Sequence, residues 1–281
     1  MKNLTHYFES AEDLYDNTVA RKEEIGLRQR LENLSAAVYE RYRIYEDAFD
    51  NSNLESIAID PAFEHHSNDL GALYGYNFST IKEFRKSLED LQPLTIRYTC
   101  QYCTLSRHDS IDHYLPQSSF PEYSIYTRNL VLCCTSCNRI KWRSWLTNGR
   151  REFINFYLDQ LPAVQYLFAE VLREANGEFN FRYYLANVHG IDPGLFALLE
   201  NHYRKLRLFD HMRKSSSEQV SEFMTLIESY TNLVSQDDAI QTITESIEKN
   251  RVAYGMNHYL EIAKLALIQD PVFMNQFRWR L

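Results

Sequence analysis

Four of the five cysteines form two pairs with a two-residue spacer, Cys100-Gln-Tyr-Cys103 and Cys134-Thr-Ser-Cys137, and thirty residues lie between the pairs. Such a spacer lets one tight turn aim two thiolates at a tetrahedral ion, and two such turns complete a four-sulfur zinc site. Four sulfurs leave zinc no open position, so this ion is expected to be structural and not to activate water itself. A thioredoxin-like redox role needs one pair in a βαβ setting, which the sequence lacks. Cys133 adjoins Cys134 on a strand and should face the other way, as a buried small residue or a substitute zinc ligand.

The excursion between the pairs carries SIDHYLP, in which Asp112 and His113 are consecutive and therefore diverge on a strand. Imidazole titrates near neutrality and suits a general base. Asn138 falls in the first helical turn after Cys137, where the positive helix end favours a phosphate. Arg139, Lys141 and Arg143 follow as candidate contacts to a nucleic-acid backbone. His108 fits no such pattern and reads as a loop histidine. His65, His66, His202 and His211 lack further ligands at metal spacing and read as surface or interface residues.

These residues resemble the HNH, or ββα-metal, endonucleases. The matching elements are the first cysteine pair, Asp112-His113-Tyr-Leu-Pro116, Asn129-Leu130, and the run from Cys134 through Asn138 to Lys141. The resemblance covers about residues 94–145. It implies that His113 takes a proton from the attacking water, and that Asp112 and Asn138 hold one Mg2+ or Mn2+ ion against the phosphate. Asn129 is implied to brace the loop and the histidine. The hard oxygen ligands of that site differ from the soft thiolate cage nearby, so two metals with separate tasks are expected. Two departures stand out. Thr104 follows the first cysteine pair, where the family often has glycine, and Trp142-Arg143 replaces a small acidic turn after the lysine.

The elements that must position these groups are mostly helical. The heptad-like recurrence of Leu31, Leu34, Val38, Tyr42 and Tyr45 predicts a helix over 27–49. Thr80 with Glu83 matches a capping box and predicts another from Thr80 to before Pro93, with irregular chain between the two. From 93 to 142 short β-rich runs (LTIRYT, SIDHYL, NLVLCC) alternate with loops until a helix at TSCNRIKWRSW. Beyond that the chain reads as helical to its end: Arg151 to Ala175 with an interruption at Pro162, then LFALLENHYRKLRLFDHM opened by Asp192-Pro193. A further helix follows the serine cluster 215–217, and the last opens at Asp270-Pro271. The expected class is α+β, a helical chain around a small ββα-metal core. Its expected parts are a helical region 1–93, the core 94–150 and a helical region 151–281.

The net charge of -8 opposes polyanion binding, but it is unevenly spread. Residues 1–95 carry 10 basic and 18 acidic side chains, 96–152 carry 8 and 4, and 153–281 carry 12 and 16. The basic island coincides with the core, so nucleic acid, DNA rather than RNA, is expected there. The acidic flanks suit a protein partner such as an ATPase, or self-association, as in the HNH subunits of Septu-like anti-phage systems, to which the architecture bears a looser resemblance. Neither a membrane span nor a signal peptide is legible, which places the protein in the cytoplasm. The competing functions are an RNA-cleaving HNH nuclease and a non-catalytic zinc-knuckle module that binds nucleic acid or protein.

Overall fold

The computed structural model describes residues 1–8 and 10–279. The chain divides into two compact units. One comprises Asn3–Tyr102 and Ser106–Gln160, so the segments 1–93 and 94–150 fall mainly together; the other comprises Met1–Lys2, Cys103–Leu105 and Leu161–Leu281. The class is α+β, with helices predominating over three two-stranded antiparallel sheets among the described residues.

The first unit opens with α1 (Ala11–Ala20), whose N-terminus is closed by Ser10 Oγ accepting from Asp13 N at 3.1 Å. Helix α2 (Ile25–Asp50) follows and buries Leu31, Val38, Tyr42 and Tyr45 of the predicted stripe, together with Phe49, while Leu34 is only half-buried. A 3-10 turn (Pro61–His66) and α3 (Ser67–Gly71) occupy the stretch expected to be irregular. Helix α4 (Ser79–Asp90) lacks the expected capping box: it begins at Ser79, Thr80 is buried, and Glu83 reaches sideways to Arg21 at 3.3 Å. Burial of Thr80 removes its hydroxyl from the capping role.

Strands β1 (Ser110–His113) and β2 (Leu130–Cys133) pair in antiparallel register, Asp112 opposite Val131 and His113 opposite Leu130. Helix α5 (Thr135–Lys141) leaves β2 directly and packs on β1. LTIRYT is not a strand. It turns, and contributes one bridge, Thr99 to Arg107, because the adjoining cysteine loop closes there through Cys100 N to Ser106 O at 2.9 Å. A small hairpin, β3 (Leu146–Thr147) and β4 (Arg150–Arg151), ends the basic island.

In the second unit the expected helix over 151–175 is absent. That stretch holds β5 (Leu167–Arg173), paired with β6 (Phe179–Leu185). Phe179, Phe181 and Tyr183 are buried while Arg182 and Tyr184 are exposed, the period of two that belongs to a strand. Asn176-Gly177, with Gly177 at φ +87°, supplies the turn that joins the pair. Helices α6 (Pro193–Lys205) and α7 (Leu208–Ser217) replace a single expected helix: Arg207, at φ +54°, breaks the run. The serine cluster ends α7 instead of capping the next helix, α8 (Val220–Thr231). Helices α9 (Gln236–Tyr254), α10 (Tyr259–Gln269) and α11 (Pro271–Met274) complete the unit. The caps read at Asp192 and Asp270 are present, accepting from Leu195 N at 2.9 Å and Phe273 N at 2.7 Å. Among the described residues, no helix is long and apolar enough to cross a membrane.

Candidate functional site

The sulfurs of Cys100, Cys103, Cys134 and Cys137 lie within 4.8 Å of one another, and all four residues are buried. Tetrahedral zinc with Zn–S bonds of about 2.3 Å brings sulfurs to this kind of separation, and the all-thiolate donor set fits it. Backbone N–H groups support the sulfurs: Leu105 N lies 3.5 Å from Cys103 Sγ and Cys137 N 3.4 Å from Cys134 Sγ. Cys134 also serves as the cap of α5, so one residue would bind the ion and start the helix. Thr104 adopts φ +61°, the left-handed conformation that a glycine would supply without strain, and its hydroxyl donates to Cys103 O at 2.6 Å. Cys133 is buried on β2 and lies outside the cluster of four.

His113 ends β1. Its Nε2 lies 2.8 Å from Ser124 O; a carbonyl can only accept, so Nε2 carries the proton and Nδ1 keeps the lone pair. Tyr74 closes edge-on against the ring at a centroid distance of 4.6 Å. Burial pushes the His113 pKa below the ordinary histidine value, outweighing the Ser124 hydrogen bond and the Asp112 charge. The imidazole is therefore neutral at physiological pH.

Ser124 is held by what lies behind it. The 3-10 turn Pro121–Tyr123 precedes it and docks on α2: Arg41 Nε meets Glu122 Oε1 at 2.9 Å, Tyr123 OH donates to Arg41 O at 2.9 Å, and the Tyr45 and Tyr123 rings are 5.2 Å apart. Asn129 is fully buried and closes the loop from inside. Its Oδ1 accepts from Leu115 N at 2.7 Å, while its Nδ2 donates to Leu115 O at 3.0 Å and Tyr123 O at 3.3 Å.

Asp112 faces away from His113, as alternation requires, into a buried polar group. Lys141 Nζ lies 3.0 Å from its Oδ2 and 3.2 Å from Oδ1, and Tyr102 OH donates to Oδ2 at 2.8 Å. Lys141 also donates to His113 O and Tyr114 O, each at 3.0 Å. The expectation that Lys141 contacts a nucleic-acid backbone is corrected: the side chain is 0% exposed, because its ammonium neutralises a buried carboxylate and ties down the chain at the histidine.

The pair implied to hold Mg2+ or Mn2+ fits a hard cation only in part. Asn138 Nδ2 donates to Ser110 Oγ at 2.8 Å and Ile111 O at 3.0 Å, leaving Oδ1 as an oxygen that accepts from no described residue. Both Asp112 oxygens are engaged, with a positive charge already beside them, so this carboxylate reaches a second cation only by releasing Lys141.

Arg139 and Arg143 are exposed and form no ion pair among the described residues. His108 is held in its loop, Nε2 2.9 Å from Arg97 O, whereas His202 is buried within α6 and is not a surface residue. Tyr74, Tyr102 and Ser124 were not legible as site residues. Their types carry no spacing signal, and they act through partners distant in sequence.

No family model matches the chain, and no solved structure matches it. The chain is similar to Protein ea31 of Escherichia phage lambda, 24% identical over 159 residues, which is 54% of this chain and 53% of that protein. The chain thus spans about half the length of the curated relative it matches.

Proposed function

We propose that the chain is an HNH endonuclease that hydrolyses phosphodiester bonds in DNA. The observation that carries the reading is the fixed tautomer of His113: Nε2–H donates to the Ser124 carbonyl, which leaves the Nδ1 lone pair as the base. In this reading Nδ1 accepts a proton from water, the hydroxide attacks phosphorus, the bond to the leaving sugar oxygen breaks, and that oxygen is protonated by solvent. The order β1, β2, α5, with His113 on the first strand and Asn138 on the helix, supports a ββα-metal core. When bound, Mg2+ or Mn2+ supplies charge stabilisation to the phosphorane, with Asn138 Oδ1 as its protein ligand and Asp112 joining only if Lys141 lets go. Arg139 and Arg143 bind the backbone without reading sequence. Cys100, Cys103, Cys134 and Cys137 would hold a zinc ion that, when bound, would tie both ends of the excursion to the start of α5.

The acidic helical flanks belong to the same proposal as docking regions for an ATPase partner or a second copy, as in Septu-like anti-phage effectors. Incubating the zinc-loaded protein with supercoiled plasmid, and in parallel with a labelled RNA of similar length, tests the reading. Nicking of the plasmid in magnesium, abolished by EDTA, is expected. Cleavage confined to RNA would move the substrate class, and binding without cleavage of either would replace the nuclease with a zinc-knuckle binding module.

A further inference from the structure

Immediately after Lys141 the chain makes a turn that its residues oppose. Ser144 N bonds to Lys141 O at 2.9 Å, so 141–144 form a β-turn with Trp142 first of the two central residues. Trp142 has φ +47° and ψ -116°, the geometry of a type II′ turn, a position that glycine dominates because a Cβ there is strained. Tryptophan is among the worst choices sterically, and it gains no burial in compensation: the side chain is 68% exposed. Strain of this kind persists where function, not stability, selects the residue.

The surroundings indicate what the indole meets. The Arg143 guanidinium lies over the ring at 4.9 Å from its centre, leaving the rest of the ring to solvent. Arg139 on α5 and Arg150 on β4 are exposed and form no ion pair among the described residues, in a chain whose net charge is -8. Ile140, in the last turn of α5, is also partly exposed. An open aromatic face with one guanidinium over it, in a segment that carries two further exposed arginines, suits single-stranded nucleic acid: cations follow the phosphates, and the ring stacks on a base. An apolar protein partner would leave those charges unmatched.

We infer that Trp142 stacks on an unpaired base of a DNA strand, with Arg139, Arg143 and Arg150 on the neighbouring phosphates. The inference rests on the nuclease reading for the identity of the polymer and deepens it: the preferred substrate has a base free to leave the stack. Trp142 acts in binding and is not a catalytic residue. Lys141, whose side-chain ammonium donates to His113 O at 3.0 Å, immediately precedes the stacking residue in the chain.

Anisotropy of a fluorescein-labelled single-stranded DNA oligonucleotide, titrated with the uncleaving His113→Ala protein, tests this. Trp142→Ala in that background is expected to weaken binding about 10- to 100-fold, and Trp142→Phe to stay within a few-fold of the parent. Trp142→Gly is expected to bind as poorly as the alanine variant yet melt at a higher temperature, since glycine relieves the turn. Unchanged affinity in Trp142→Ala, or a loss of affinity matched by a loss of melting temperature in Trp142→Gly, overturns the inference. Binding that depends on Trp142 only with RNA overturns the DNA assignment. Plasmid nicking by the wild type, measured alongside, reports on the nuclease reading independently.

Discussion

Lys141 and Asp112 show how much a single buried pair constrains this region. Two groups taken out of water at 3.0 Å gain little over an apolar pair, but removing one alone strands the other. Lys141→Met is expected to cost about 3–5 kcal/mol in urea unfolding, and the double variant Lys141→Met, Asp112→Asn to recover most of it. Independent, additive losses would show that the pair is not the unit described. Asp112, His113 and Asn129, between the cysteine pairs, and Asn138, just after the second, stand out in the sequence as a set only through the order of elements in the family resemblance. What sequence did not reveal is direction. Lysine in a basic island reads as a surface cation, and only the structure turns its ammonium inward. Thr104 is the converse case: the departure from glycine was legible, and the chain adopts the left-handed conformation nonetheless.

At the scale of elements, the histidine is positioned by two anchors of different kinds. The 3-10 turn ahead of Ser124 leans on α2 through Arg41, Tyr45 and Tyr123, while α5 and the cysteine loop converge on the four-sulfur cluster. Metal analysis should give one zinc per chain. Cys137→Ser should lose that zinc and destabilise the fold by several kcal/mol, since binding to such a cluster is folding free energy; full zinc retention with unchanged melting would refute the cluster as a metal site. Helices α2 and α5 and strands β1 and β2 were legible from periodicity and short alternating runs. The β5–β6 hairpin was missed because its apolar residues over 151–175 were matched to a helix, although Asn176-Gly177 between two alternating runs signals a hairpin. The break at Arg207 had no signal, since arginine is a good helix former.

Across the whole molecule, charge and buried histidine set the response to conditions. His258 has its pKa lowered to about 3, first by burial and then by the positive charges of the chain N-terminus and Lys264, and its Nδ1 has no hydrogen-bond partner among the described residues. A folded-state value below the unfolded one means that stability is complete above about pH 6.5 and declines as pH falls from there towards 3. Between pH 6.5 and 5 the loss should be about 1 kcal/mol for this half-buried ring, and His258→Gln should flatten that part of the melting profile. An identical acid slope in the variant would assign the sensitivity elsewhere. The basic island between acidic flanks was legible by counting charges, but the division into units was not, because no linker composition marks it. The central claim is that His113 is the base of a phosphodiesterase, and the most direct test is plasmid nicking in magnesium by wild type and His113→Ala, with zinc content and melting temperature checked in both. The account predicts at least a hundredfold lower nicking rate in the variant at equal zinc content and unchanged fold. Magnesium-dependent nicking at the wild-type rate by His113→Ala would contradict it.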